Sequence, residues 1–216
     1  MSIIVVGDSS KSFRPEATRR PRTPFLVDRR HDGDNIDFFN PYFCELTGLY
    51  YMWKHDDGDI VGLEHYRRYL SADGRNPIGE PEILRRLSKA DAICSVVNYG
   101  SRPIKSYFQA RGDEFYGWML KYISWLSVVD KDYGNRCLRY MSGNRHVLGN
   151  IFISRRELLD EYAQFLFGTL IPFHDCEVRL GRRPYPRIFG YLSEFLFGCW
   201  LESHGKRIDC TGICWS

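Results

Sequence analysis

The sequence predicts an α/β fold, with a mixed, mainly parallel sheet flanked by helices in one domain spanning residues 1–216. Three observations carry that expectation. Short apolar runs rich in β-branched residues read as buried strands near residues 2–7, 59–65, 91–97 and 149–154. Segments with apolar residues at helical spacing stand between them. Strands alternating with helices need crossover connections, which give parallel strands covered on both faces. A chain of 216 residues is long enough to bury a substantial core in this form.

The first run, Ile3-Ile4-Val5-Val6, ends at the turn sequence Gly7-Asp8-Ser9-Ser10. A stretch rich in Pro and Arg follows, with Pro15, Pro21 and Pro24, and reads as a loop. Asp32-Gly33-Asp34-Asn35 is a turn cluster. Asn40-Pro41 opens a helix, Asn as cap and Pro in the first turn, and Tyr42, Leu46, Leu49, Tyr50 and Trp53 supply its apolar face. Asp56-Asp57-Gly58 breaks it, and Ile60-Val61-Gly62-Leu63 is the second strand. A short helix near 80–90 precedes the strand Ala92 to Val97. Residues 105–126 read as an irregular helix interrupted by Gly112 and Gly117. After the strand Asn150 to Ile153, Ser154-Arg155-Arg156-Glu157 has capping-box spacing before another amphipathic helix. A last long helix runs from about Arg187 to Ser203.

Composition removes several classes of function. A net charge of +3 is too small for nucleic-acid binding. Basic residues are local instead: residues 1–31 hold seven Lys and Arg against three acids, and Arg179, Arg182, Arg183 and Arg187 follow one another with no acid between residues 178 and 193. Such patches suit phosphates or an anionic membrane surface. The seven cysteines are scattered with no CxxC pair, which fits free thiols in a reducing cytoplasm better than a zinc site. No apolar run has the length of a signal core or a membrane span, so any membrane contact is expected to be peripheral. Walker A, GxGxxG and HExxH motifs are absent.

Open parallel sheets bind ligands beyond the carboxyl ends of their strands. Gly7-Asp8, His65-Tyr66-Arg67-Arg68 and Ser95 to Asn98 fall there. Two guanidiniums at a strand end pair bidentately with phosphate oxygens and neutralise a diphosphate without a metal; the alternative is a pair of Arg bonding local carboxylates. Glu194 stands alone in an apolar helix, with Gly190 and Gly198 one turn to either side, a pattern expected to open that helix face. Apolar flanks raise a carboxyl's pKa and suit it to act as a base, with Arg187 and Tyr191 on the same side to orient it or to meet an acceptor. The alternative is a buried Glu paired with Arg. Asp34 and Asn35 suit sugar hydroxyls or simply a turn. Asp57-Gly58-Asp59 has metal-chelating spacing but precedes its strand, at the wrong end of the sheet, so no metal site is assigned.

Taken together, Gly33-Asp34-Asn35-Ile36, Asn40-Pro41-Tyr42-Phe43-Cys44-Glu45-Leu46-Thr47-Gly48-Leu49-Tyr50, Gly62-Leu63-Glu64-His65-Tyr66-Arg67-Arg68-Tyr69, Gly149 to Ile153 and Arg187 to Glu194 resemble a bacterial family catalogued as a domain of unknown function, DUF4422. The resemblance covers nearly the whole chain. The family occurs in capsule, exopolysaccharide and O-antigen gene clusters and includes galactofuranosyltransferases that use a uridine diphosphate sugar. What the resemblance implies is a nucleotide-sugar-binding fold like that of GT-A glycosyltransferases. It also implies transfer of galactofuranose to a lipid-linked glycan at the inner face of the membrane, beside other polysaccharide-assembly enzymes.

The donor site is then expected at Gly7, Asp8, Asn35, His65, Tyr66, Arg67, Arg68 and Asn150, and the acceptor site at Arg187 and Tyr191. Glu194 is the expected base, with Asp34 and His65 as alternatives, and no cofactor or divalent metal is expected. The segment from Ser71 to Glu80 is short for the family, and Glu64 stands where small or apolar residues are common. The competing functions are a non-catalytic nucleotide-sugar or glycan-binding module and a nucleotide-sugar hydrolase or phosphotransferase.

Overall fold

A computed structural model describes all 216 residues. The strands are β1 (Ser2–Gly7), β2 (Arg22–Leu26), β3 (Ile60–His65), β4 (Arg68–Ser71), β5 (Ala92–Asn98), β6 (Arg145–Arg155), β7 (Ile208–Cys210) and β8 (Gly212–Trp215). The helices are α1 (Asn40–Phe43), α2 (Leu46–His55), α3 (Glu80–Leu87), α4 (Ile104–Gln109), α5 (Asp113–Val129), α6 (Lys131–Ser142), α7 (Arg156–Arg179) and α8 (Ile188–Ser203). No helix is long and apolar enough to cross a membrane.

The sheet order is β2-β1-β3-β6-β5-β7, with β4 on β3 and β8 on β4. β2, β1 and β3 are parallel neighbours, and so are β5 and β7. β6 lies antiparallel between β3 and β5, so those two point the same way and the sheet is mainly parallel. Strand alternation sorts the core onto two faces. Ile4, Val6, Val61 and Leu63 join a large cluster with α2 and α4–α8, whereas Ile3, Ile60, Ile93, Ile151 and Ile153 pack on the other face against Ile83 and Leu87 of α3.

Several local expectations give way to tertiary contacts. The Pro-rich stretch contains β2, an edge strand in which Pro24 faces Val5; an edge position tolerates the missing N–H. β6 starts at Arg145 rather than near 149 and is reversed. The helix expected from Asn40 to Trp53 is two helices, split where Cys44 adopts φ 51°, and it begins without a side-chain cap. The capping box at Ser154 does not form: β6 carries Ser154 into pairing with Val61, and Arg155 takes the N-cap position of α7 without a side-chain capping bond. Gly117 lies inside α5, and the break in that region falls at Ala110–Gly112 instead.

Candidate functional site

β1 and β3 pair in parallel with Val6 opposite His65, so their carboxyl ends emerge side by side. Gly7, Asp8, His65, Tyr66 and Arg67 therefore line one cavity of about 330 Å³ at the sheet edge. Gly7 is confined there: a Cβ would stand 2.8 Å from Phe13 Cζ and 3.1 Å from Tyr66 Cβ. The Ser10 hydroxyl and amide beside Asp8 hold its carboxyl below the usual carboxylate range.

The opposite wall comes from α1 and the start of α8. Cys44 and Arg187, at φ 51° and 63°, are the chain's two non-glycine residues with left-handed φ. They meet: Arg187 N–H donates to the Pro41 carbonyl at 3.3 Å, and its Nε lies 3.3 Å from Cys44 Sγ. Strained residues of this kind cost about 1–3 kcal/mol each and concentrate at ligand-binding walls. Burial, with the Glu45 charge adding and Arg187 opposing, pushes the Cys44 thiol up to about 11, so it is not a thiolate nucleophile at neutral pH.

A second cavity of about 190 Å³ adjoins the first, and the two share Cys44, Glu45, Arg67 and Arg187. Arg68, Tyr107, Arg111, Leu148, Gly190, Tyr191 and Glu194 complete it. The structure thus brings Arg67, Arg68, Arg187, Tyr191 and Glu194 together, as the sequence predicts. The ion pairs of the molecule involve other arginines, and none reaches Arg67, Arg68, Arg111 or Arg187. Arg68 Nε is buried with no hydrogen-bond partner. Arg111 bonds the Tyr107 hydroxyl at 2.6 Å and lies over the Tyr191 ring, 4.2 Å from its centroid. His65 sits among these charges. Burial, then Arg68, Arg67 and Arg187, lower it to about 3, so its ring is neutral at pH 7 and a poor proton acceptor.

Glu64, two residues before Tyr66, has a structural role. It takes Arg22 Nε at 2.6 Å and Nη2 at 3.1 Å, with both side chains buried. Asn150 is buried behind the site and positions it, donating to Glu45 Oε1 and the Gly190 carbonyl at 2.9 Å each. Asn35 shapes its turn by donating to the carbonyls of His31 and Gly33, and lines a neighbouring groove with Arg29 and Arg30. Asp34 lines none of these cavities: its carboxylate accepts from the Tyr50 hydroxyl at 3.0 Å. Asp57 and Asp59 are exposed at the opposite end of β3.

The two glycines of α8 differ. Gly190 lines the second cavity beside Glu194, as expected, and a Cβ there would stand in ordinary contact with the Glu45 carboxylate at 3.6 Å. Gly198 does not open the helix face, because a Cβ there would overlap the Tyr140 hydroxyl. Glu45, Tyr107 and Arg111 escaped the site expectation. Glu45 stood inside a quoted motif without a role, and Arg111 reaches the site only because the chain turns between α4 and α5.

The α/β sheet carries a double cavity at its carboxyl edge, where open sheets of this kind bind ligands, and that cavity is lined by guanidiniums without ion-pair partners. The chain belongs to the DUF4422 family, described as a domain of unknown function, whose model matches residues 3–205. No curated protein matches it. Among solved structures it is similar to the apo structure of WbbM, a bifunctional glycosyltransferase. The two share a TM-score of 0.77 and 20% identity over 99% of this chain and 45% of that one. The chain spans less than half the length of WbbM, and the likeness is one of fold.

Proposed function

We propose that the chain is a glycosyltransferase, with uridine diphosphate galactofuranose as donor and a growing lipid-linked glycan as acceptor. The observation that carries this reading is the pair of joined cavities, with Arg67 and Arg187 at their junction and Glu194 in the second. The first cavity takes the nucleotide diphosphate, its charge met by Arg67, Arg187 and Lys11. The sugar then lies at the junction, where Glu45 faces its hydroxyls. The acceptor enters the second cavity along Tyr191 and Arg111.

Transfer by single displacement inverts the anomeric carbon. The acceptor oxygen bonds that carbon as its proton passes to Glu194, and the bond to the diphosphate breaks with its electron pair. Negative charge grows on the leaving oxygen beside the Arg67 and Arg187 guanidiniums, which stabilise it. This stabilisation supports a reaction without a divalent metal. The exposed segment from Val178 to Arg183, with the apolar Val178 and Leu180 and with Arg179 and Arg183 free of ion pairs, suits peripheral contact with an anionic bilayer bearing the acceptor.

The test combines donor binding with Glu194→Gln. Donor is expected to stabilise both proteins against heat, and the variant to lose nearly all turnover while keeping donor affinity. Wild-type turnover in Glu194→Gln eliminates this base. Donor binding with no transfer to any acceptor makes the chain a binding module, and phosphate release without a new glycoside makes it a hydrolase. Activity is expected to survive a chelator, and loss restored by manganese overturns metal independence.

A further inference from the structure

Glu194 has a partner behind it that the proposed reaction has not used. His146, fully buried on β6, points Nε2 at Glu194 Oε1 across 3.7 Å. Neither atom has a hydrogen-bond partner, and both are buried. Two orphaned polar atoms facing each other inside a packed core need an explanation. The distance exceeds a hydrogen bond by about half an ångström, a gap that a small carboxylate rotation closes, and catalytic contacts often tighten only when substrate binds.

The other ring nitrogen leads further. His146 Nδ1 lies 3.2 Å from the Tyr140 hydroxyl, and that oxygen already accepts the Val147 N–H at 3.3 Å. With its oxygen taken as acceptor, the hydroxyl proton is free to point at Nδ1. A neutral ring that accepts at Nδ1 carries its own proton on Nε2, the nitrogen aimed at Glu194. The Tyr140 hydroxyl in turn fills the notch left by Gly198, one turn beyond Glu194 on α8. Phe108 and Phe195 wedge the two rings, with centroids 5.5 Å from His146 and 5.6 Å from Tyr140 respectively. Gly198, Tyr140, His146 and Glu194 therefore close a loop through α8, α6 and β6.

We propose that Tyr140 and His146 are positioning residues that hold the Glu194 carboxylate as base, Tyr140 fixing the His146 tautomer and His146 Nε2–H binding the inner oxygen. The outer oxygen stays free for the acceptor hydroxyl. This rests on the reading of Glu194 as the base. A neutral donor orients the carboxylate without adding a positive charge that would suppress its basicity. The other charged and titratable groups that share the Glu194 cavity are Arg67, Arg68, Arg111, Arg187, Glu45, Cys44, Tyr107 and Tyr191, with Tyr99 nearby. The Tyr99 phenol is pushed up to about 12, chiefly by burial, so it stays protonated and does not compete.

The experiment has a kinetic arm and a spectroscopic arm. His146→Leu is expected to lower kcat by about 10²-fold, the cost of misplacing a reacting group by about 1 Å, with donor KM nearly unchanged. Loss of the hydrogen bond to the anion moves the acid limb of the kcat/KM profile to higher pH, and His146→Gln, which keeps an N–H at the Nε2 position, moves it back. Nitrogen NMR of the wild type is expected to place the His146 proton on Nε2, and Tyr140→Phe to abolish that preference.

A proton on Nδ1, or an unmoved limb with wild-type kcat in His146→Leu, overturns the proposal. Should His146→Leu fail to fold, the tautomer measurement and the Tyr140→Phe profile decide it. Failure of Glu194 as the base appears separately, as full turnover in Glu194→Gln.

Discussion

Arg22 and a set of four arginines near the carboxyl end of β3 have opposite surroundings. Arg22 is 5% exposed and its charge is fully answered: Glu64 binds it through both oxygens and also accepts the Leu70 N–H at 3.0 Å. Three residues after Glu64, Arg67 begins a set with Arg68, Arg111 and Arg187 that lines a cavity and meets no carboxylate in an ion pair. Charge neutralised inside the fold belongs to the fold. Charge left unneutralised, beside strained backbone at Cys44 and Arg187, is what the proposed nucleotide diphosphate would meet.

The largest effect should come from breaking the Arg22–Glu64 pair. Glu64→Ala strands the Arg22 guanidinium in the core, and removal of one partner of a buried pair costs about 3–5 kcal/mol. Denaturant unfolding should show this. Replacing both partners by apolar residues should recover most of the loss, though not all, because the Leu70 N–H still loses its acceptor. Loss of stability no greater than that of a surface substitution would mean the pair is not buried as described.

Arg67→Ala should act in the reverse sense. The side chain is exposed and unpaired, so stability should stay within about 0.5 kcal/mol. Turnover should fall by roughly 10²–10³, the usual cost of one strong contact to developing charge. Equal donor affinity and turnover in this variant would break the comparison, since the cavity charge would then have no ligand to meet.

The same contrast shows what the sequence could disclose. β1, β3 and β5 are continuous apolar runs whose burial on both faces is written locally, and His65-Tyr66-Arg67-Arg68 stands out because it follows one of them. β2 contains Arg22 and Pro24 and becomes a strand only by pairing with β1; β7 and β8 are short pieces that exist only by their partners. Gly190 and Gly198 signalled missing side chains on α8; Gly190 does border the second cavity, but the space beside Gly198 is taken by Tyr140 of α6. The Arg22–Glu64 pair spans 42 residues, so Glu64 alone could not announce it. The placement of residues read from a strand end survives, whereas whatever depends on which distant side chain fills a gap needs the fold.

The smallest effect concerns His65, which shares the cavity with the unpaired arginines and reports on them. Burial and then Arg68, Arg67 and Arg187 lower it to about 3, against about 6.5 in an unfolded chain. Between those values the unfolded state binds the proton and the native state does not, so the contribution to stability is fully present above about pH 6.5 and is lost as pH falls towards 3. A bound diphosphate adds negative charge beside the three arginines and cancels part of their repulsion on the imidazolium. The His65 pKa should therefore rise on donor binding, and by linkage donor affinity should strengthen as pH falls below about 6.5, by at most tenfold per unit for one proton taken up. Above pH 7 affinity should be flat. A nucleotide sugar suits the measurement because its diphosphate has no ionisation of its own in that range. Calorimetry in buffers of different ionisation enthalpy should count less than one proton taken up near pH 5.5 and none near pH 8. His65→Gln should remove the dependence while leaving affinity at pH 8 within a few-fold, since the ring is neutral there. Proton uptake that persists in His65→Gln would assign it to another group, and a His65 pKa left unmoved by donor would show that the anion binds away from Arg67, Arg68 and Arg187.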